Sequence, residues 1–257
     1  MQIPDSGRTR LATIYLIRHG RADSTGEVYD RLTDSGKIQA SRLAEYVLRM
    51  GIRPDQIFAG TMRRQQETAQ ALVDALKTTR LGHPEKIAGK IDPETVVTAD
   101  LNEFAPTFWR GMAGMIASRD REFAQDLERY TAIRTRGGGR SLALFLRLTE
   151  SVLTAWASGE TPPDAESFKE FQGRVFRFLK TIESAKPRES IFVFSSGTPI
   201  SLMLAHFLGW KEEKCFDWMR WVYNTSLSVI RQERDRYVPL TINSLPHLPD
   251  RTLHTLI

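Results

Sequence analysis

The residues best placed to do chemistry are Arg18 and His19, which end the apolar run Ile14-Tyr15-Leu16-Ile17 and are followed at once by Gly20. A neutral imidazole is a competent nucleophile, and an adjacent guanidinium supplies a fixed positive charge whose fork matches phosphate oxygens in pairs. Taken alone the tripeptide is a weak signal. A strand that delivers polar residues at its carboxyl end onto a turn-permitting glycine is, however, how open α/β sheets present ligand sites in the crevice above the sheet. The chemistry expected there is that of phosphate groups.

Other segments carry residues of matching type. Met62-Arg63-Arg64-Gln65-Gln66-Glu67-Thr68-Ala69 offers two guanidinium groups at the mouth of a helix, and Leu101-Asn102-Glu103-Phe104 puts a carboxyl after a short strand. Asp30-Arg31-Leu32-Thr33 with Gly36 and Gln39-Ala40, then Glu166-Ser167, Ser195-Ser196-Gly197 and Asn224-Thr225-Ser226 complete the set. In this order the segments resemble the histidine phosphatase superfamily, the phosphoglycerate mutase-like proteins, over nearly the whole chain. The resemblance implies a phosphohistidine intermediate at His19 and a general acid and base at Glu103, where a carboxyl of raised pKa would protonate the leaving alkoxide and then activate water. It also implies phosphate contacts from Arg18, Arg64, Ser196 and Gly197. Arg64 is preferred over Arg63 because it lies four residues before Thr68, where the family pattern puts its second arginine.

The departure from the family is at Ser196. Most members have a second histidine between a small residue and glycine, as a donor to the phosphoryl oxygens, and the resemblance here is to bacterial members with serine in its place. Serine keeps a donor and loses any positive charge, and the loss of one positioned donor costs about 10²- to 10³-fold in rate. Two readings follow. The leading one is a phosphatase of reduced activity on a small phosphomonoester; the other is a catalytically silent phosphate-ester-binding or regulatory protein of the same fold. A mutase fits less well, because returning a phosphoryl group demands a well-stabilised phosphoenzyme.

The elements that must position these residues are legible as periodicity. Thr33 or Asp34 caps a helix with Ile38, Leu43, Tyr46, Val47 and Met50 on one face and Gly51 as its stop. The strand Gln56 to Ala59 leads through Gly60 into a helix from about Arg63 with Ala69, Leu72, Val73 and Leu76 aligned, and Thr95 to Val97 reads as a third strand. Residues 105–165 read as a helical insertion over the site, broken by a 134–140 loop that lacks the Gly-Lys-Ser/Thr ending of a phosphate loop. Glu166-Ser167 opens a helix carrying Phe168, Phe171, Val175, Phe178, Leu179 and Ile182. Ile191 to Phe194 is a strand buried on both faces and Pro199 to Leu208 a helix, and Leu227 to Arg231 and Tyr237 to Ile242 are the last strands. Trp218, Met219, Trp221 and Val222 read as core packing, with Trp218 and Val222 one helical turn apart. The fold class expected is α/β, three-layer α/β/α, with a mainly parallel sheet in a single domain over 1–257.

Composition narrows the partners. The chain has 257 residues, 41% hydrophobic and 26% charged, a globular profile. Its net charge of +5 comes from 36 basic and 31 acidic residues interspersed along the chain, which favours a small phosphorylated substrate over a nucleic-acid groove. The apolar stretch Ile200 to Leu208 is too short to span a bilayer and is interrupted by Ser201 and His206, so no membrane association is expected. The first residues carry no apolar signal core, and the expected location is the cytoplasm. Cys215 stands alone, as a small apolar filler, which excludes an internal disulfide and a thiolate zinc site. His206, inside an apolar helix, reads as a packed or half-exposed side chain, and His83 and His254 have no acidic or cysteine partner at ligand spacing, so neither metal nor cofactor is expected. His247, in Leu245-Pro246-His247-Leu248-Pro249, either closes a core edge or reaches the crevice; the first is favoured. Oligomeric state, natural substrate and pathway are not written in the sequence.

Overall fold

A computed structural model describes residues 10–23, 29–82, 94–134, 139–183, 185–234 and 236–256. Within these described residues six strands form one sheet: β1 (Arg10–Arg18), β2 (Gln56–Ala59), β3 (Thr95–Val97), β4 (Glu189–Ser195), β5 (Leu227–Glu233) and β6 (Arg236–Ser244). Their spatial order is β3-β2-β4-β1-β5-β6. The first four run parallel, while β5 runs against β1 and β6 against β5. Among the described residues eight α-helices accompany them: α1 (Asp34–Arg49), α2 (Arg63–Gly82), α3 (Pro106–Ala117), α4 (Arg121–Arg134), α5 (Gly139–Ala157), α6 (Phe168–Glu183), α7 (Gly197–Leu208) and α8 (Cys215–Met219). The expected α/β class and mainly parallel sheet are what the chain adopts.

By contact density the chain divides into two compact units, Met1–Glu103 with Val175–Ile257, and Phe104–Arg174. In the first, alternate residues of the central strands face opposite ways. Ile17, Ile57, Ala59, Phe192 and Phe194 share one cluster with Leu43 and Val47 of α1 and Leu72 and Val73 of α2. Phe58, between two members of that cluster, turns to the other face and meets Phe178 of α6 edge-on at 5.2 Å. Phe176 of α6 in turn approaches His206 of α7 at 5.5 Å. β4 and β1 therefore lie central, covered from both sides, and β1 is followed by α1 on one face and β4 by α7 on the other. That is a topological switch point, where a crevice opens between adjacent parallel strands. Arg18 and Ser195 are paired across it in register.

The second unit is organised around Trp156, which is fully buried and packs on Phe108, Phe168 and Phe171. Its indole N–H donates to the Glu166 carbonyl at 3.0 Å. Those contacts are why the unit runs to Arg174, past the expected limit near 165. Ser167 and Glu170 form a reciprocal capping box at the start of α6. The glycine-rich stretch 135–138 of the expected loop, and His83, lie outside the described residues.

Several local expectations need correction. The buried stripe of α1 is Ala40, Leu43, Ala44 and Val47, spaced i, i+3, i+4, i+7, so Ile38 falls on the opposite face and is 49% exposed. Met50 lies beyond the last helical residue and is exposed too. Thr33 is the cap, accepting from the Gly36 amide at 3.1 Å, and Gly51 ends the helix at φ +66°. α7 starts at Gly197 rather than Pro199, which its first turn tolerates because amides there have no intrahelical partner. α8 stops at Met219, so Trp218 and Val222 do not share a helix. Only Val222 is core; Trp221 is 50% exposed and Trp218 stacks on exposed Trp210 at 5.5 Å. His206 is exposed, on the outer side of α7. Cys215 is buried, and burial pushes its thiol pKa up. Among the described residues no helix is long and apolar enough to cross a membrane.

Candidate active site

The carboxyl end of β1 places His19 in a buried position, 6% exposed, with its amide donating to the Ser195 carbonyl of β4 at 2.9 Å. Its Nδ1 lies 2.8 Å from the Gly20 carbonyl, which can only accept, so Nδ1 carries the proton and Nε2 the lone pair. Arg64 Nε donates to that Nε2 at 3.0 Å. Burial, with the charges of Arg64 and then Arg18 adding to it, lowers the imidazole pKa well below 6.5. The ring is therefore neutral, with its nucleophilic nitrogen turned toward a guanidinium.

Gly20 is needed for close approach rather than for a turn. Its backbone is not left-handed, but a Cβ here would sit 2.7 Å from the Gly36 carbonyl oxygen, and one on Gly36 would meet the Arg21 carbonyl at 2.0 Å. The two glycines let the start of α1 press against the loop behind His19.

Arg64, in the first turn of α2, is held by Asp30, whose Oδ1 takes Nη1 at 2.6 Å while Oδ2 takes the Arg63 amide at 2.6 Å. Arg63 itself points to solvent and pairs with Glu67. Arg18 donates through Nη1 to the Val222 carbonyl, and its Nε is buried without a hydrogen-bond partner. Burial lowers its pKa to about 10, with Glu103 opposing the drop and Arg64 adding to it, so it stays charged at neutral pH. Arg18, Arg64, His19 and Glu103 thus share one electrostatic neighbourhood.

The far side of the crevice is the exit of β4. Ser196, 1% exposed, caps α7 without a side-chain cap bond; its Oγ instead accepts from Gln65 Nε2 at 2.8 Å. Gln65 gives its other amide proton to the Leu101 carbonyl at 3.1 Å. The Ser196 hydroxyl proton is left to point elsewhere. Glu103 accepts from the Thr198 amide at 3.1 Å, near the positive end of the α7 dipole. A Cβ on Gly197 would lie 3.0 Å from the Met219 carbonyl, so glycine is what admits the Met219–Val222 segment beside Arg18.

Of the six predicted residues, Arg18, His19 and Arg64 meet directly or through charge, and Glu103 and Gly197 join them around the start of α7. Ser196 comes to the same place but is engaged by Gln65. His247 closes a core edge, as favoured: its Nε2 is 2.9 Å from Thr225 Oγ1 and its ring is near Tyr46. Asp30, Gln65, Gln39, Asn224 and Thr68 received no role from the sequence. Gln39 and Gln65 left a usable signal, since each is a polar residue on the apolar stripe of its helix, with Leu43 and Val47 or Ala69 and Val73 following at helical spacing. Among the described residues no group of three or more His, Cys, Asp or Glu side chains is arranged to hold a metal.

The fold and this corner are those of an α/β protein with a buried neutral imidazole next to guanidinium charge at a switch point. The chain belongs to the histidine phosphatase superfamily, branch 1, whose family model matches residues 14–159 and 147–245. Solved structures share the fold. The alpha-ribazole phosphatase of Shigella flexneri is 20% identical with a TM-score of 0.56, covering 90% of this chain and 96% of that one. A phosphoglycerate mutase from Bacillus anthracis is 14% identical at a TM-score of 0.57, covering 93% and 96%. A mycobacterial glucosyl-3-phosphoglycerate phosphatase in complex with inorganic phosphate is 16% identical at a TM-score of 0.58, covering 92% and 99%. The mitochondrial serine/threonine-protein phosphatase Pgam5 of Drosophila mojavensis is 37% identical over 65 residues, 24% of this chain. The match spans only 22% of that curated relative's length.

Proposed function

We propose that this protein is a phosphatase for a small phosphomonoester and works through a phosphohistidine at His19. The observation that carries the reading is the state of that imidazole, neutral, with the proton fixed on Nδ1 and the lone pair on Nε2. Arg64 moves its Nε–H from Nε2 onto a phosphoryl oxygen, Arg18 offers its buried Nε–H to another, and Ser196 turns its hydroxyl to a third. Nε2 attacks phosphorus as the ester P–O bond breaks, and Glu103 in its acid form gives its proton to the leaving oxygen. Glu103, now a carboxylate, takes a proton from water, whose oxygen attacks phosphorus and releases phosphate from Nε2.

Phosphatases among the solved structures of the same fold support the reaction class. A second reading, a silent phosphate-ester binder, is favoured by Ser196, which offers no charge and is already tied to Gln65. Incubation with a radiolabelled aryl phosphate, quenched in alkaline detergent because phosphohistidine survives base, separates the two. Label on the wild type and none on His19→Ala supports the enzyme. No label and no hydrolysis above His19→Ala leaves the binder.

A further inference from the structure

The proton on His19 Nδ1 is held by the Gly20 carbonyl, and that carbonyl belongs to the same planar peptide unit as the Arg21 amide. The Arg21 N–H donates to Gln39 Oε1 at 2.8 Å. Gln39 is fully buried in α1, and its amide orientation is not free. Nε2 faces the Leu253 carbonyl at 2.7 Å, which can only accept, and Thr255 Oγ1 at 2.9 Å. With the NH₂ end so fixed, the oxygen must face Arg21.

A second arm reaches the neighbouring peptide. Thr255 Oγ1, having accepted from Gln39, donates to Asn224 Oδ1 at 2.8 Å, and Asn224 Nδ2 donates to the His19 carbonyl at 3.0 Å. The Thr255 carbonyl also takes the Asn224 amide at 2.9 Å. Gly20 N–H, between the two arms, goes to Thr68 Oγ1 at 3.0 Å. Both peptide planes flanking Gly20 are therefore clamped, and both clamps lead back to residues 253–255, more than two hundred positions from Gly20 in sequence.

We propose that Gln39, oriented by Leu253 and Thr255, is a positioning residue that fixes the tautomer and direction of the His19 imidazole by holding the Gly20–Arg21 peptide plane. It touches no substrate. Rotation of that plane takes the acceptor from Nδ1; Arg64 Nε, which donates to Nε2 at 3.0 Å, still holds the lone pair there until it turns to a phosphoryl oxygen, and from then on the proton is free to move to Nε2 and the lone pair is lost from the position where phosphorus would be attacked. The proposal rests on the phosphohistidine reading for its effect on rate and not for its effect on the ring.

The test uses Gln39→Leu, Thr255→Val and Thr255→Ser. Isotope-edited NMR of the imidazole nitrogens reads the tautomer without turnover. Phosphoenzyme formation from an aryl phosphate reads the rate, and inorganic phosphate binding reads the anion site. With inorganic phosphate bound, so that Arg64 has turned from Nε2, the His19 proton stays on Nδ1 in the wild type and Thr255→Ser; in Gln39→Leu and Thr255→Val it is spread over both nitrogens. The phosphorylation rate falls about 10- to 100-fold in Gln39→Leu, the usual penalty for removing an outer partner of a working histidine, and less in Thr255→Val. Inorganic phosphate binding stays as in the wild type. If Gln39→Leu does not fold, Thr255→Val decides, since it removes a hydroxyl from a half-buried side chain and keeps its shape. A wild-type tautomer in the folded variants overturns the proposal. A shifted tautomer in a protein whose wild type never takes up label would instead retain the positioning role and sink the phosphatase reading.

Discussion

At the exit of β1, the backbone polar groups from the Arg18 carbonyl to the Arg21 carbonyl are bonded by neutral partners: Thr225, Asn224, Ser195, Thr68, Gln39 and Thr33. At the exit of β4 the partners are of another kind. An acidic side chain, Glu103, takes the Thr198 amide, and the Ser196 hydroxyl accepts from a glutamine that also serves Leu101. The first corner fixes a ring without placing any charge on it, and the cations stand around it. The second corner is where the resemblance expects a histidine to carry positive charge, and it carries none. In the proposed reaction attack is well prepared, while stabilisation of the transferring group falls on two arginines. Preorganised dipoles cost nothing to reorganise at the moment of reaction, but they cannot replace a missing charge.

The largest break in this contrast is His19→Ala, which deletes what the β1 corner exists to hold. Phosphatase activity should fall by a factor on the order of 10³ or more, as when a covalent nucleophile is removed elsewhere. A variant with more than about a tenth of wild-type turnover would show that the ring is not the nucleophile.

Next come the cations that compensate for the β4 corner. Arg64→Ala should lower kcat/KM about 10²- to 10³-fold. Asp30→Asn keeps the shape and removes the charge that holds Arg64, and should cost roughly tenfold by the same logic. Equal losses in the two variants would mean that Asp30 does more than aim the guanidinium. The neutral state of His19 adds a pH prediction. The acid limb of kcat/KM should not fall at 6.5, the ordinary histidine value, but well below it, because burial and two guanidiniums oppose protonation.

Ser196→Ala addresses the β4 corner itself. Gln65 would keep Leu101 and lose its second acceptor in a fully buried setting, which costs about 1–3 kcal/mol of stability by urea unfolding. If Ser196 turns its hydroxyl to phosphate, turnover also falls, by about tenfold or more, the value of one hydrogen bond to a charged group. A stability loss with unchanged turnover would leave the hydroxyl a purely structural partner of Gln65.

The same contrast explains what the sequence disclosed. β4 was legible because it is buried on both faces and reads as continuous Ile-Phe-Val-Phe, and α2 because Ala69, Leu72 and Val73 keep the helical period. Arg18, His19 and Arg64 were legible because they stand where an element ends or begins, and Glu103 through the segment Leu101-Asn102-Glu103-Phe104 that helps carry the resemblance. The neutral corner was not, because its members come from α1, α2, the segment after α8 and residues 253–255, and no local pattern ties a glutamine at 39 to a threonine at 255. Gly20 misled for a related reason. A glycine after a strand-end histidine reads as turn-permitting, yet here the constraint is a helix pressed against the loop, which only tertiary packing defines. Ile38 and the Trp218–Val222 pair misled because each was placed by hydrophobicity or spacing, where the register of α1 and the end of α8 decide.

The variant expected to leave turnover nearest the wild type's is also the most selective for the neutral corner. Thr225, whose amide donates to the Arg18 carbonyl at φ +56°, gives its hydroxyl proton to the Asn224 carbonyl at 2.7 Å, so it can only accept from His247 Nε2. His247 therefore carries its proton on Nε2 and stands neutral behind the loop. Burial, reinforced by His254, lowers its pKa to about 4. In the unfolded chain it titrates near 6.5, so between pH 6.5 and 4 the unfolded state binds a proton that the folded state does not. Unfolding is then favoured progressively as pH falls through that window, by up to about 1.4 kcal/mol per pH unit, with no contribution above it. His247→Gln retains a donor toward Thr225 and cannot protonate. Its urea unfolding free energy should lose less between pH 6.5 and 4 than the wild type's does, with the two profiles parallel above pH 7. A profile as steep as the wild type's would move the acid sensitivity of the corner from His247 to His19, the other buried neutral ring of the same network.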